Sequence, residues 1–68
     1  MKDTLFINGS QYNFSSPWTL LELITYLGFN PKLIVLDYNG FLLEKQFWAK
    51  TLLNDQDSIE VLSIAGGG

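Results

Sequence analysis

The sequence predicts an α+β fold in which a mixed sheet of four to five strands packs on one helix. Three observations lead there. Asn8-Gly9 and Asn39-Gly40 each sit between apolar runs and signal two-residue hairpins, a turn whose central positions both need a positive φ. Thr19 and Glu22 spell a capping box at the start of a stretch with helical periodicity. A final alternating run over residues 58–64 reads as a strand and is followed by Gly66, Gly67 and Gly68.

Along the chain, Thr4, Leu5, Phe6 and Ile7 form the opening strand, and residues 11–14 return from the Asn8-Gly9 turn with Tyr12 and Phe14 on one face and Gln11 and Asn13 on the other. Ser15, Ser16 and Pro17 break the pattern. In the capping box the Thr19 hydroxyl and the Glu22 carboxylate satisfy orphan amides, while Trp18 before the cap and Leu23 inside the helix are spaced for a hydrophobic staple. Leu20, Leu23, Ile24 and Leu27 repeat at helical spacing until Gly28 ends the helix. After Asn30-Pro31, the apolar run over residues 33–36 is a strand, and Phe41, Leu42 and Leu43 return from the second hairpin. Residues 44–50 favour helix but are few, so a single turn is expected, with Phe47 and Trp48 pinned to the core. Residues 54–57 form a polar turn, where Asp55 and Asp57 are expected to cap the turn and face water rather than hold a cation. In the last strand Ile59 and Val61 face the core, and Glu60, Leu62 and Ile64 face the other way. This order, with the first and last strands pairing in parallel at the centre, is the ubiquitin-like β-grasp. It divides into a domain over residues 1–64 and a flexible C-terminal glycine tail over residues 65–68.

Composition narrows the chemistry. Neither cysteine nor histidine occurs in the 68 residues, which removes disulfides, the usual general base, the usual zinc ligands and nearly every nucleophile-base pair. An enzyme in its own right is therefore not expected, and no metal site is expected. The hydrophobic share of 47% supplies a core in spite of the short length. A net charge of -3, with four lysines and no arginine, argues against nucleic acid and for a basic protein partner. With no apolar leader after Met1 and no stretch able to span a bilayer, the reading is a soluble, unexported chain with no membrane partner.

The tail is the candidate chemical site. Without Cβ atoms, Gly66, Gly67 and Gly68 can thread a cleft that side chains would block, and residues 65–68 reach roughly 13 Å when extended. Surface apolar residues beside such a tail suit partner docking. The candidates are Leu62 and Ile64, with Val35 on the neighbouring strand and Glu60 for a salt bridge to a basic rim.

With these elements placed, the whole chain resembles the ThiS family, the β-grasp sulfur carriers of thiamine biosynthesis. The matching pieces are the opening strand with Asn8-Gly9, the Thr19-Leu20-Leu21-Glu22-Leu23-Ile24 helix start, the strand and hairpin over residues 35–40, Trp48, the Asp55-Gln56-Asp57-Ser58-Ile59-Glu60-Val61 segment and the terminal Gly67-Gly68. Their order and spacing make the match specific. Two departures stand out: Gln56 occupies a place where the family commonly has glycine, and Gly66 extends the diglycine to three.

The resemblance implies that a ubiquitin-activating-type enzyme spends ATP and Mg²⁺ to adenylate the Gly68 carboxylate, with no cofactor bound by the carrier itself. Sulfur from a donor such as a cysteine desulfurase then yields a thiocarboxylate, which thiazole synthase accepts. The implied compartment is the cytoplasm, or an organelle stroma if the protein is organelle-encoded. The fold alone leaves other readings open. Within it lie a carrier for molybdopterin or tRNA thiolation and a protein conjugator; outside it lies a β-grasp interaction module whose terminus is never activated.

Overall fold

Two Asn-Gly turns set the architecture. Asn8 and Gly9 take φ of 50° and 84°, and Asn39 and Gly40 take 52° and 92°, the doubly left-handed turn whose twist matches that of paired strands. The structure is a computed structural model and describes residues 2–15 and 17–64. The first turn joins β1 (Asp3–Ile7) to β2 (Ser10–Phe14), and the second joins β3 (Ile34–Tyr38) to β4 (Phe41–Leu43). The last strand, β5 (Asp57–Ser63), lies between the two hairpins, giving the order β2-β1-β5-β3-β4. It runs parallel to β1 and antiparallel to β3. The sheet is thus the five-stranded β-grasp that the pattern predicts.

Both turn asparagines also reach across to β5. The Val61 amide donates to Asn8 Oδ1 at 2.7 Å, and the Ser58 amide donates to Asn39 Oδ1 at 2.7 Å. Their own backbone amides donate to the carbonyls of Ile59 at 2.9 Å and Ser58 at 2.8 Å. Asparagine suits these positions twice over, because it tolerates left-handed backbone and carries a short acceptor.

The one α-helix among the described residues, α1 (Leu20–Tyr26), begins at the predicted capping box. Glu22 donates its amide to Thr19 Oγ1 at 3.1 Å, and Thr19 donates its amide to Glu22 Oε1 at 2.8 Å. At the other end Gly28, with φ of 87°, lets its amide donate to the Thr25 carbonyl and the Phe29 amide to the Ile24 carbonyl, both at 3.1 Å. That pair of bonds is a Schellman stop. Leu20, Leu23 and Ile24 on the helix form one buried cluster with Leu5, Ile7, Leu36 and Ile59 of the sheet.

Several local expectations are corrected. Leu33 closes a 3₁₀ turn, Pro31–Leu33, instead of opening the strand, because Asn30 caps it by accepting the Lys32 amide at 2.9 Å and Pro31 presets its backbone. Lys45–Lys50 is a 3₁₀ segment of six residues rather than a single turn. With about three residues per turn, neighbours on such a segment point some 120° apart, and only one of Phe47 and Trp48 faces inward. Trp48 is buried and donates its indole N–H to the Leu43 carbonyl at 2.9 Å, whereas Phe47 is 42% exposed. Trp18, spaced for the staple, is half-buried against the core and meets Tyr26 edge to face at 5.2 Å.

The Asp pair divides. Asp55 stays exposed and caps the edge of β1, accepting the Thr4 amide at 2.7 Å. Asp57 is buried, contrary to expectation, because three donors converge on its carboxylate: the Tyr38 hydroxyl, Asn39 Nδ2 at 3.0 Å and the Asn54 amide at 2.7 Å. Desolvation first, and the Asp57 hydrogen bond and charge second, push the Tyr38 phenol up to about 12.

Gln56, between these aspartates, has φ of 71°. The turn keeps a left-handed backbone in which a side chain is strained and glycine is not. Gln56→Gly is therefore expected to stabilise the domain by roughly 1 kcal/mol and raise Tm by about 5 °C in a thermal melt. An unchanged or lower Tm would show that the turn stores no such strain.

Candidate functional site

Alternation along β5 divides its side chains between two faces. Ile59 is wholly buried and Val61 packs partly buried against the core, while Glu60, Leu62 and Ile64 point away from the helix. Val35 on β3 is directly opposite Leu62 in the antiparallel register. The structure thus brings the four docking candidates onto one outer face, with Val35 40%, Leu62 47% and Ile64 45% exposed. Cross-strand neighbours of this kind form a continuous apolar surface rather than scattered single residues.

Glu60 is opposite Asp37, and two carboxylates facing each other across a strand pair repel. Asp37 is committed to its turn, accepting the Gly40 amide at 2.8 Å. Glu60 is the carboxylate left facing outward, where a cation from a partner would relieve the repulsion.

Beyond Ser63 the chain is still tied to the sheet at Ile64, whose amide donates to the Leu33 carbonyl at 2.9 Å. The tail residues Gly66, Gly67 and Gly68 lie outside the described residues, as does Ala65. Sequence reasoning missed two members of the surface. Leu42 is exposed opposite Asp37, and Leu33 is exposed beside Ile64. Each belongs to a continuous apolar run, Phe41-Leu42-Leu43 or Leu33-Ile34-Val35-Leu36, where no alternation marks the outward member.

Among the described residues no three Asp or Glu side chains converge in a way that could hold a metal ion. The one buried carboxylate among the described residues, Asp57, is taken up by its three donors. Among the described residues no helix is long and apolar enough to cross a membrane. What the described surface offers is contact: an apolar face with a carboxylate beside it, at the end of the central strand.

Fold and surface together define a ubiquitin-like β-grasp protein. The ThiS family model matches residues 5–68. The chain belongs to the ThiS family and is a small sulfur carrier of thiamine biosynthesis. A crystal structure of the thiamine biosynthesis protein ThiS from Geobacter metallireducens superposes with a TM-score of 0.82 at 26% identity, covering 96% of this chain and 99% of that one. Uncharacterized protein ycf40 of Trieres chinensis is 42% identical over 65 residues, 96% of this chain and 89% of the relative. A thiazole synthase of Paramagnetospirillum magneticum is 33% identical over 64 residues, which are 94% of this chain and 20% of that protein.

The two faces of β5 differ in what they tolerate. Leu62→Asp is expected to fold with a Tm within about 5 °C of the parent, since the new charge stays in water, whereas Ile59→Asp buries a carboxylate at a cost of several kcal/mol and should unfold the domain. Circular dichroism melts of both variants check this. An unfolded Leu62→Asp beside a folded Ile59→Asp would mean the faces are reversed.

Proposed function

We propose that the protein carries sulfur on the carbonyl carbon of Gly68 and delivers it to thiazole synthase. The observation that supports this most is the placement of β5. It is the central strand, tied to both neighbours, and it ends at Ser63 beside an exposed apolar face, so the last described residue, Ile64, lies next to a surface fit for docking. The occurrence of a similar stretch, 33% and 30% identical, inside proteins named thiazole synthase supports thiazole synthase as the acceptor over molybdopterin or tRNA pathways.

The chemistry follows from the electrophile. A carboxylate is a resonance-stabilised anion that resists nucleophiles, so an adenylating enzyme of the ubiquitin-activating type first joins a Gly68 oxygen to the α-phosphorus of ATP, with Mg²⁺, releasing pyrophosphate. A persulfide, from a donor such as a cysteine desulfurase, then attacks the carbonyl carbon and AMP departs. A thiolate of the partner proteins cleaves the resulting S–S bond, leaving the thiocarboxylate on Gly68 and a disulfide behind. The carrier contributes no acid, base or nucleophile to these steps and binds no cofactor. Gly66 and Gly67 contribute slimness, and Val35, Leu62, Ile64 and Glu60 contribute the contact. Because one tail visits two enzymes, each docking must be transient, which suits a small patch.

The compartment that goes with this role is the cytoplasm, or an organelle stroma if the protein is organelle-encoded.

Deleting Gly68, or adding one residue after it, is expected to abolish adenylation in an ATP–pyrophosphate exchange assay while leaving Tm within about 2 °C, because the change removes no side chain from the core cluster. Exchange at the parent rate in the truncated protein would rule the mechanism out and favour a module that acts through its surface alone.

A further inference from the structure

β2 closes one side of the sheet with no strand beyond it among the described residues, and it carries none of the devices that keep such an edge from pairing. Ser10–Phe14 contains no charged residue and no proline. The opposite edge, β4, is only three residues long, which is itself a guard. Which backbone groups of β2 are open follows from β1. Thr4 turns its amide to Asp55 Oδ1 and its carbonyl to the Gln56 amide, both on the β5 side. The bonds between β1 and β2 therefore come from Asp3, Leu5 and Ile7 with their partners Phe14, Tyr12 and Ser10. Gln11 and Asn13, both exposed, point their amides and carbonyls outward. On the helix side of the same edge lies an open hollow of about 280 Å³ between β2 and α1, walled by Leu5, Phe14, Trp18 and Tyr26 and bordered by Tyr12, and none of its lining residues is charged.

We propose that β2 is the contact through which a second copy of this chain pairs edge to edge, joining two sheets into one. The register selects the copy. With a two-fold axis at Tyr12, Gln11 of each chain is opposite Asn13 of the other, and their outward amides and carbonyls match as hydrogen-bonded pairs, each exchanging both of its bonds. Tyr12 then meets Tyr12 of the second copy as the close, non-hydrogen-bonded pair. It does so on the helix side, because its partner Leu5 is buried there, so each ring covers part of the other chain's hollow. On the outer face the side-chain amides of Gln11 and Asn13 are opposed. Asn13 Oδ1 accepts the Thr4 hydroxyl at 3.3 Å, which leaves Nδ2 to donate across the axis to Gln11 Oε1. Charge points to the same occupant. A charged segment finds no counter-charge on this strand or in its hollow, whereas β2 is itself neutral, polar and aromatic, and two chains of net charge -3 approach most easily where neither presents a carboxylate. β1 separates this edge from β5, so the face with Val35, Leu62 and Ile64 stays open in the pair. A contact of this size is weak and reversible, with a Kd on the order of 100 μM.

Sedimentation equilibrium of the full chain from about 10 μM to about 2 mM tests this. The weight-average mass is expected to rise from one chain toward two. Amide hydrogen exchange at Gln11 and Asn13 should slow about fivefold at the upper concentration, while Tyr12, already bonded to β1, changes little. Gln11→Pro removes an outward amide that β1 does not use, at an edge position that tolerates proline, and is expected to raise Kd at least about tenfold with Tm within about 5 °C. Leu62→Asp should leave Kd unchanged. Should Gln11→Pro unfold, Tyr12→Lys, which sets two ammonium groups opposite each other, is expected to give the same loss. A chain that stays single at about 2 mM overturns the pairing. So does a dimer whose Gln11 and Asn13 amides exchange as fast as in dilute protein, or one weakened by Leu62→Asp and not by Gln11→Pro. Protection of those two amides only on adding the adenylating enzyme or thiazole synthase assigns the edge to a strand of that enzyme and overturns the second copy as its occupant. None of these outcomes touches Gly68, so the carrier reading is tested separately.

Discussion

β5 can occupy the middle of the sheet only if β1 and β3 leave a slot of the right width for it, and two asparagine side chains mark the ends of that slot. Asn8 Oδ1 takes the Val61 amide from the β1 side, and Asn39 Oδ1 takes the Ser58 amide from the β3 side. Each bond satisfies a backbone group of the central strand that a side chain must otherwise leave to water or burial. A domain of this length has a total stability on the order of 3–10 kcal/mol, and an intramolecular hydrogen bond contributes about 0.5–1.5 kcal/mol net. Two such clasps at the surface therefore help to keep the last strand in place. The same residues form the hairpin turns, so local turn chemistry and long-range strand placement are set by the same two side chains.

Everything functional on the described surface follows from where β5 lies. Because its neighbours flank it on both sides, its inward residues are buried by the helix and its outward residues share a face with Val35. The strand is anchored at its start by the buried Asp57 cluster with Tyr38, Asn39 and Asn54, and at its end by the Ile64 amide on the Leu33 carbonyl. A strand pinned at both ends is a rigid platform. A carrier with no reactive side chain needs such a platform, since its contribution to any reaction is to put a chain end in the right place and let partner enzymes do the chemistry.

The hairpins, the helix cap, its Schellman stop and the two faces of β5 were legible in the sequence because each is set by residues next to one another. Asn8-Gly9 and Asn39-Gly40 require left-handed backbone wherever they occur, and Thr19 with Glu22 satisfies amides within one turn. What the sequence hid depends on distant neighbours. Asp57 resembles a solvated turn carboxylate until Tyr38 and Asn39, 19 and 18 residues away, are brought to it. Phe47 and Trp48 are adjacent aromatics, and only the geometry of a 3₁₀ segment decides which one enters the core. Leu33 belongs to an apolar run that reads as strand, and the capping of Pro31–Leu33 by Asn30 turns it outward. The docking candidates Glu60, Leu62 and Ile64 were legible through alternation along β5 and Val35 through its place on the neighbouring strand, while Leu33 and Leu42, in apolar runs that do not alternate, were not.

Sulfur on the last carbonyl is the feature from which the rest of the functional reading descends. Intact-mass spectrometry of the protein isolated from its own cells, with fragmentation to locate any change, measures it directly. A carrier predicts a population in which one oxygen of the Gly68 carboxylate is replaced by sulfur, renewed when the protein is incubated with the adenylating enzyme, ATP and a persulfide donor. A mass that corresponds to the plain carboxylate alone, both in cells and after that incubation, would contradict it.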